Sequence, residues 1–183
     1  MPLPYYLLYS LNLTPWHRNH VHQHFVETVA RFREAGQAID LGCGKGTDTK
    51  YLAQRGWDVV AIDMVPKATA SAAAACKDTP RQPRIILGDV LKVEDLVPHY
   101  PYGLIIDNGC LFSLKLSQQY SVIGAISSWC KSGALLLRFG LFTEESLTQS
   151  VPERWHLVWV DAAKPRYRLP GDPMPTWSLW ELQ

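Results

Sequence analysis

Five apolar, β-branched runs punctuate the chain: QAIDLGC (Gln37 to Cys43), DVVAIDM (Asp58 to Met64), RIILGDV (Arg84 to Val90), YGLIIDNGC (Tyr102 to Cys110) and GALLLRFG (Gly133 to Gly140). Most are continuous rather than alternating, the pattern of strands covered on both faces. Helical spacing fills the gaps between them. Thr47 to Arg55 ends at Gly56, Val65 to Lys77 carries Pro66 in its first turn, and Ser117 to Lys131 repeats apolar residues with a helical period. Strands alternating with helices predict βαβ units around a parallel sheet. Beyond the fifth run the pattern changes: Thr143 to Val151 reads as a short helix, and WHLVWVDAA and TWSLWELQ enclose a loop rich in Pro, Lys and Arg. That ending predicts an antiparallel strand pair, and a further helix is expected near Val21 to Glu34.

Length and composition agree with one α/β unit. The chain has 183 residues, 47% hydrophobic and 19% charged, which suits a single folded domain. Eighteen basic against 17 acidic residues leave a net charge of +1, without the basic excess that holds a nucleic acid by charge. Cys43, Cys76, Cys110 and Cys130 are scattered with no CxxC pair, so neither a zinc ribbon nor a dithiol motif is present. Reduced thiols fit a cytoplasmic protein. The opening MPLPYYLLYSLNLTPW has no basic residue ahead of its apolar stretch, and Asn12 and Thr14 interrupt it well short of a membrane span or a signal peptide.

Chemistry begins where the first strand meets a helix, at Asp40-Leu41-Gly42-Cys43-Gly44-Lys45-Gly46. Glycines at 42, 44 and 46 permit a tight turn and let a ligand approach main-chain atoms. The second strand ends in Ile62-Asp63-Met64, with a carboxylate placed to take both hydroxyls of a ribose. The dinucleotide fingerprint places its third glycine at position 47, which is Thr47 here. The third strand ends in Gly88-Asp89-Val90, suited to bracketing the edge of an adenine, and the fourth in Asp107-Asn108-Gly109-Cys110. Open parallel sheets bind ligands beyond the carboxyl ends of their strands, so the four elements converge on one crevice.

These motifs resemble a class I S-adenosylmethionine-dependent methyltransferase over about residues 14 to 140. Within that superfamily TPW (Thr14 to Trp16), DLGCGKGTDTKYLAQRGWDVVAIDM (Asp40 to Met64), GDV (Gly88 to Val90) and IIDNGCLFSL (Ile105 to Leu114) are similar to the thiopurine, halide and tellurite-resistance branch. The resemblance implies a Rossmann-like α/β fold: a seven-stranded, mostly parallel sheet with an antiparallel C-terminal hairpin and helices on both faces. Residues 1–35 would form an N-terminal cap and helix, 36–140 the cofactor core, and 141–183 the last helix and strand pair of a single domain. It implies S-adenosyl-L-methionine as cofactor. Gly42, Cys43 and Gly44 would cradle its methionine part, Asp63 bind ribose, Met64 pack on adenine, and Asp89 and Val90 frame the adenine edge. Trp16 would lie near the sulfonium, and Asn108 where donor and acceptor meet. Asp107 belongs to the same expected cofactor set.

Two departures from the branch pattern bear on the acceptor. A histidine common in bacterial relatives after the DxGC turn is replaced by Phe112, and only a short segment separates Gly140 from Trp155, where longer members insert a lid. The N-terminal segment and the 108–116 turn are therefore expected to form most of an open acceptor pocket. Asp40 either orients the turn or bonds the cofactor amine through water. Cys43 and Cys110 read as packing residues. On a helix His17, His20 and His24 would share one face, which is a solvated face, a place for a general base in His17 or His20, or a metal site; no metal is expected, since no acidic partner precedes Glu27. Trp155, Trp159, Trp177 and Trp180 read as core, with one of them a candidate platform for an acceptor ring, and Lys164, Arg166 and Arg168 as a solvated loop or a site for an anion. The expected activity is methyl transfer to O, S or N of a small molecule, with no nucleic-acid or membrane partner and room for a homodimer. A non-catalytic S-adenosylmethionine-binding subunit and a nicotinamide-dependent oxidoreductase remain alternatives. Against the oxidoreductase stand Thr47 and the lack of a Tyr-Lys relay.

Overall fold

The computed structural model describes residues 3–11, 13–14, 20–162 and 174–183. Its strands are β1 (Gln37–Leu41), β2 (Asp58–Asp63), β3 (Arg84–Leu87), β4 (Tyr102–Asn108), β5 (Cys130–Phe142), β6 (Trp155–Ala162) and β7 (Met174–Leu182). They form one sheet in the order β3-β2-β1-β4-β5-β7-β6. The first five are parallel, and β7 runs antiparallel between β5 and β6. This is the expected parallel sheet with its C-terminal hairpin. Strand order reverses between β1 and β4, the topological switch point where such sheets leave a crevice.

The helices are α1 (Leu3–Ser10), α2 (Gln23–Val29), α3 (Thr47–Ala53), α4 (Pro66–Cys76), α5 (Val93–Leu96), α6 (Leu116–Ser127) and α7 (Glu144–Gln149). Alternate strand residues serve two cores. Ile39, Leu41, Ile105 and Leu136 pack with Val122, Ile123 and Ile126 of α6 and Leu147 of α7. On the opposite face Ala38, Leu104, Ile106, Leu135 and Leu137 pack with Phe25 and Val29 of α2 and Leu52 of α3. α4 is built on alanine, the best helix former, and starts with Pro66 where a missing N–H costs nothing. Among the described residues no helix is long and apolar enough to cross a membrane.

Three elements differ from the sequence reading. α6 stops at Ser127 because β5 begins early, at Cys130. α1 was not anticipated; its Tyr9 is buried against Val65 and Ala68 at the start of α4. The helix expected from Val21 begins at Gln23, because His22 is extended (φ −74°, ψ 151°) and its Nδ1 accepts the His24 N–H at 3.2 Å as an N-cap. His20 therefore precedes the helix and shares no helical face with His24. Instead His24 Nε2 lies 2.8 Å from Asp161 of β6. His17 and Trp16, like Lys164, Arg166 and Arg168, lie outside the described residues.

Candidate active site

A cavity of about 520 Å³ opens at the carboxyl ends of the parallel strands. Its size is that of a small-molecule site. The glycine turn forms its floor. Gly42 (φ +69°) and Gly44 (φ +55°) adopt left-handed conformations, and a Cβ on Gly42 would lie 2.6 Å from the Cys110 Cβ. Both features require glycine. Asp63, at the end of β2, locks this turn: its Oδ2 accepts the Gly44 N–H and its Oδ1 the Val65 N–H, both at 2.9 Å. Each oxygen keeps a lone pair for a ligand. Burial raises the Asp63 pKa, and the backbone N–H donors partly offset that rise.

Asp40, Gly42, Cys43, Gly44, Asp63, Met64, Asp89, Val90, Asn108 and His20 all line this cavity. Asp89 also caps the short turn after β3, accepting the Leu91 N–H at 3.0 Å. Asp107 is a correction. It is fully buried and faces away from the cavity, where its Oδ1 accepts the Cys110 and Leu111 N–H groups and its Oδ2 the Arg138 Nε at 3.0 Å. Successive strand residues point to opposite faces, so Asp107 and Asn108 cannot both reach the crevice. Cys43 and Cys110 have their thiol pKa values raised well above normal by burial, which keeps them protonated and inert.

Several lining residues were missed by sequence reasoning. Asp48, in the first turn of α3, is buried and takes a 2.7 Å hydrogen bond from Asn108 Nδ2. Tyr9, His22 and Phe139 also line the cavity, beside Phe112 of the 108–116 turn and Trp177, both of which the sequence offered for the acceptor side. Trp177 stacks on His22 (centroids 4.6 Å apart) and lies 4.9 Å from Phe139. One of the four C-terminal tryptophans thus reaches the cavity, whereas Trp155 and Trp180 belong to the core.

The charge is lopsided. Among the described residues Asp40, Asp48, Asp63 and Asp89 line the cavity against Lys45. Burial first, then the Asp48 carboxylate, pushes the Asp40 pKa up to about 7, although Thr49 Oγ1 donates to it at 2.5 Å. The neutral form of Asp40 is thus stabilised by folding, so its contribution to stability is present at acid pH and lost as pH rises through about 7. A cation entering the cavity favours the ionised form. Affinity for a cationic ligand is expected to rise about tenfold between pH 6 and 8, and Asp40→Asn to flatten that rise, as measured by calorimetry at both pH values.

A family model described as a methyltransferase domain matches residues 38–133. No protein of curated function matches the chain in sequence. Solved structures with the same fold include one from work on converting a disulfide bond into a thioacetal group during echinomycin biosynthesis: TM-score 0.74, 15% identity, covering 98% of this chain and 90% of that one. The N-methyltransferase NodS from Bradyrhizobium japonicum WM9, in complex with S-adenosyl-L-homocysteine, gives a TM-score of 0.73 at 16% identity, covering 94% and 90%. TehB from Haemophilus influenzae gives 0.72 at 16%, covering 89% of this chain and 63% of that one.

Proposed function

The chain belongs to the methyltransferase-domain family, as an S-adenosylmethionine-dependent methyltransferase, and we propose that it methylates a small molecule on O, S or N. The carrying observation is the cavity: a glycine turn locked by a ribose-competent carboxylate, in a wall where, among the described residues, four acids face one lysine. That donor set fits S-adenosylmethionine, which bears a sulfonium and an ammonium. When bound, the cofactor supplies a methyl carbon made electrophilic by the sulfonium. The backbone of Gly42, Cys43 and Gly44 holds the methionine part in this reading, and Asp40 faces its ammonium. Asp63 takes the ribose hydroxyls, Met64 and Val90 pack on adenine, and Asp89 meets its edge. Asn108 stands at the mouth, at the end of β4, where the acceptor is aligned for in-line attack; alignment of this kind lowers a barrier by roughly 7–11 kcal/mol. His20 also lines the wall and is, in this reading, the base for a hydroxyl acceptor.

The motif resemblance to the thiopurine, halide and tellurite-resistance branch belongs to this reading, with the shared fold of TehB in its support. The test is calorimetric titration with S-adenosylmethionine, S-adenosylhomocysteine and NAD, followed by an assay for S-adenosylhomocysteine release with candidate acceptors. Micromolar binding of the first two and none of NAD is expected, with release that depends on an added acceptor. Tighter NAD binding overturns the reading, and cofactor binding without turnover on any acceptor leaves a binding subunit instead.

A further inference from the structure

The acceptor side of the cavity has a construction that narrows the substrate class. Across adjacent strands Asn108 of β4 is paired in register with Phe139 of β5, and Phe139 with Trp177 of β7. Register partners point their side chains to one face. Asp48 extends this row at one end through its hydrogen bond from Asn108, and His22 extends it at the other by stacking on Trp177. Phe112 packs beside it over Gly140, where a Cβ would come within 2.7 Å of the Phe112 Cβ. The result is a strip of rings that ends in a carboxylate. Asp48 lines the cavity and is only 8% exposed; its Oδ2 is held by Asn108, and among the described residues its Oδ1 receives no hydrogen bond.

Resting on the methyl-transfer reading, we propose that the acceptor is a planar aromatic amine seated on Phe139 and Trp177, with its N–H directed to Asp48. Flat rings bury apolar area on the aromatic strip. The acidic lining among the described residues, Asp40, Asp48, Asp63 and Asp89 against Lys45, opposes halides, thiolates and carboxylates, all anions. An amine starts neutral and gains positive charge only as its new bond forms, so the Asp48 carboxylate stabilises the transition state more than the ground state. The amine lone pair forms the N–C bond while the C–S bonding pair stays on sulfur, and the N–H proton passes to Asp48 Oδ1 and on to water. Asn108 is the positioning residue that holds Oδ2 and leaves Oδ1 toward the acceptor.

The test uses quinolines carrying an amino, hydroxyl, thiol or carboxylate group at one ring position. Binding to the full chain saturated with S-adenosylhomocysteine is read by calorimetry, and the methylated atom by mass spectrometry and NMR. The amino compound is expected to bind at least about tenfold tighter than the carboxylate and to be methylated on the amine. Asp48→Asn is expected to lower kcat about 100-fold or more with little change in KM. Trp177→Leu is expected to weaken amine binding about tenfold, while S-adenosylhomocysteine affinity holds in both variants. Equal or better binding or methylation of the hydroxyl, thiol or carboxylate compound overturns the proposal, as does an unchanged kcat in Asp48→Asn. Failure to bind S-adenosylhomocysteine at all overturns the methyl-transfer reading, and this proposal with it.

Discussion

Asp63→Ala is expected to weaken S-adenosylmethionine binding at least about tenfold, and up to a few hundredfold, because hydrogen bonds to a charged group contribute about 1.5–3 kcal/mol each. The carboxylate has two tasks. It fixes the glycine turn through the Gly44 N–H, and it presents its remaining lone pairs to the ligand from the end of β2. Alanine removes both and leaves the Val65 N–H, at the start of α4, without its acceptor. Asp63→Asn separates the tasks. Its amide keeps one acceptor oxygen but must present an NH₂ to either the Gly44 or the Val65 N–H, so it is expected to lose affinity almost as severely. Calorimetry on both variants, with circular dichroism to confirm folding, measures the effect. An affinity within about threefold of the wild type in either variant would remove the ribose role from Asp63.

The position of Asp63 was legible because a carboxylate ending an apolar parallel strand must lie at the crevice, whatever the details of packing. The same holds for the Gly42–Gly46 turn and the Gly88-Asp89 corner. The acceptor side was not legible in this way. Asp48 falls in the first turn of α3, where an acidic residue is ordinarily explained by the helix dipole; only the Asn108 hydrogen bond reveals it as part of the wall. Trp177 reaches the cavity because β7 inserts between β5 and β6, and no local pattern encodes that register. The histidine segment misled through one residue: a helix through His20 and His24 requires His22 to be helical, and it caps the helix instead. The YGLIIDN strand shows no polar alternation from Tyr102 to Ile106, so periodicity could not show which face Asp107 takes. The alternation of adjacent residues could have done so once Asn108 was placed in the crevice.

Asp107 carries the second large effect, on stability. Arg138 is fully buried and donates to Asp107 Oδ2 at 3.0 Å, to Ser150 Oγ at 2.8 Å and to Gln119 Oε1 at 2.8 Å. It thereby joins β5 to the end of β4, to α6 and to the residue after α7. The other Asp107 oxygen holds the turn at Cys110 and Leu111. Asp107→Ala leaves the guanidinium buried without its counter-charge, a loss of about 3–5 kcal/mol. For a domain of this size that corresponds to a fall in Tm of roughly 6–20 °C. Arg138→Met alone leaves the Asp107 carboxylate in the same predicament. Asp107→Leu combined with Arg138→Met removes both charges and is expected to recover much of the stability. Thermal denaturation of the three variants decides this: a double variant no more stable than Asp107→Ala would mean that the turn hydrogen bonds, rather than the ion pair, dominate. The double variant also isolates what the pair does for the site. Asn108 follows Asp107 directly, and without the carboxylate the 109–114 turn loses its anchor, so acceptor turnover should fall even where the fold is restored, while cofactor affinity, which rests on β1 to β3, is retained.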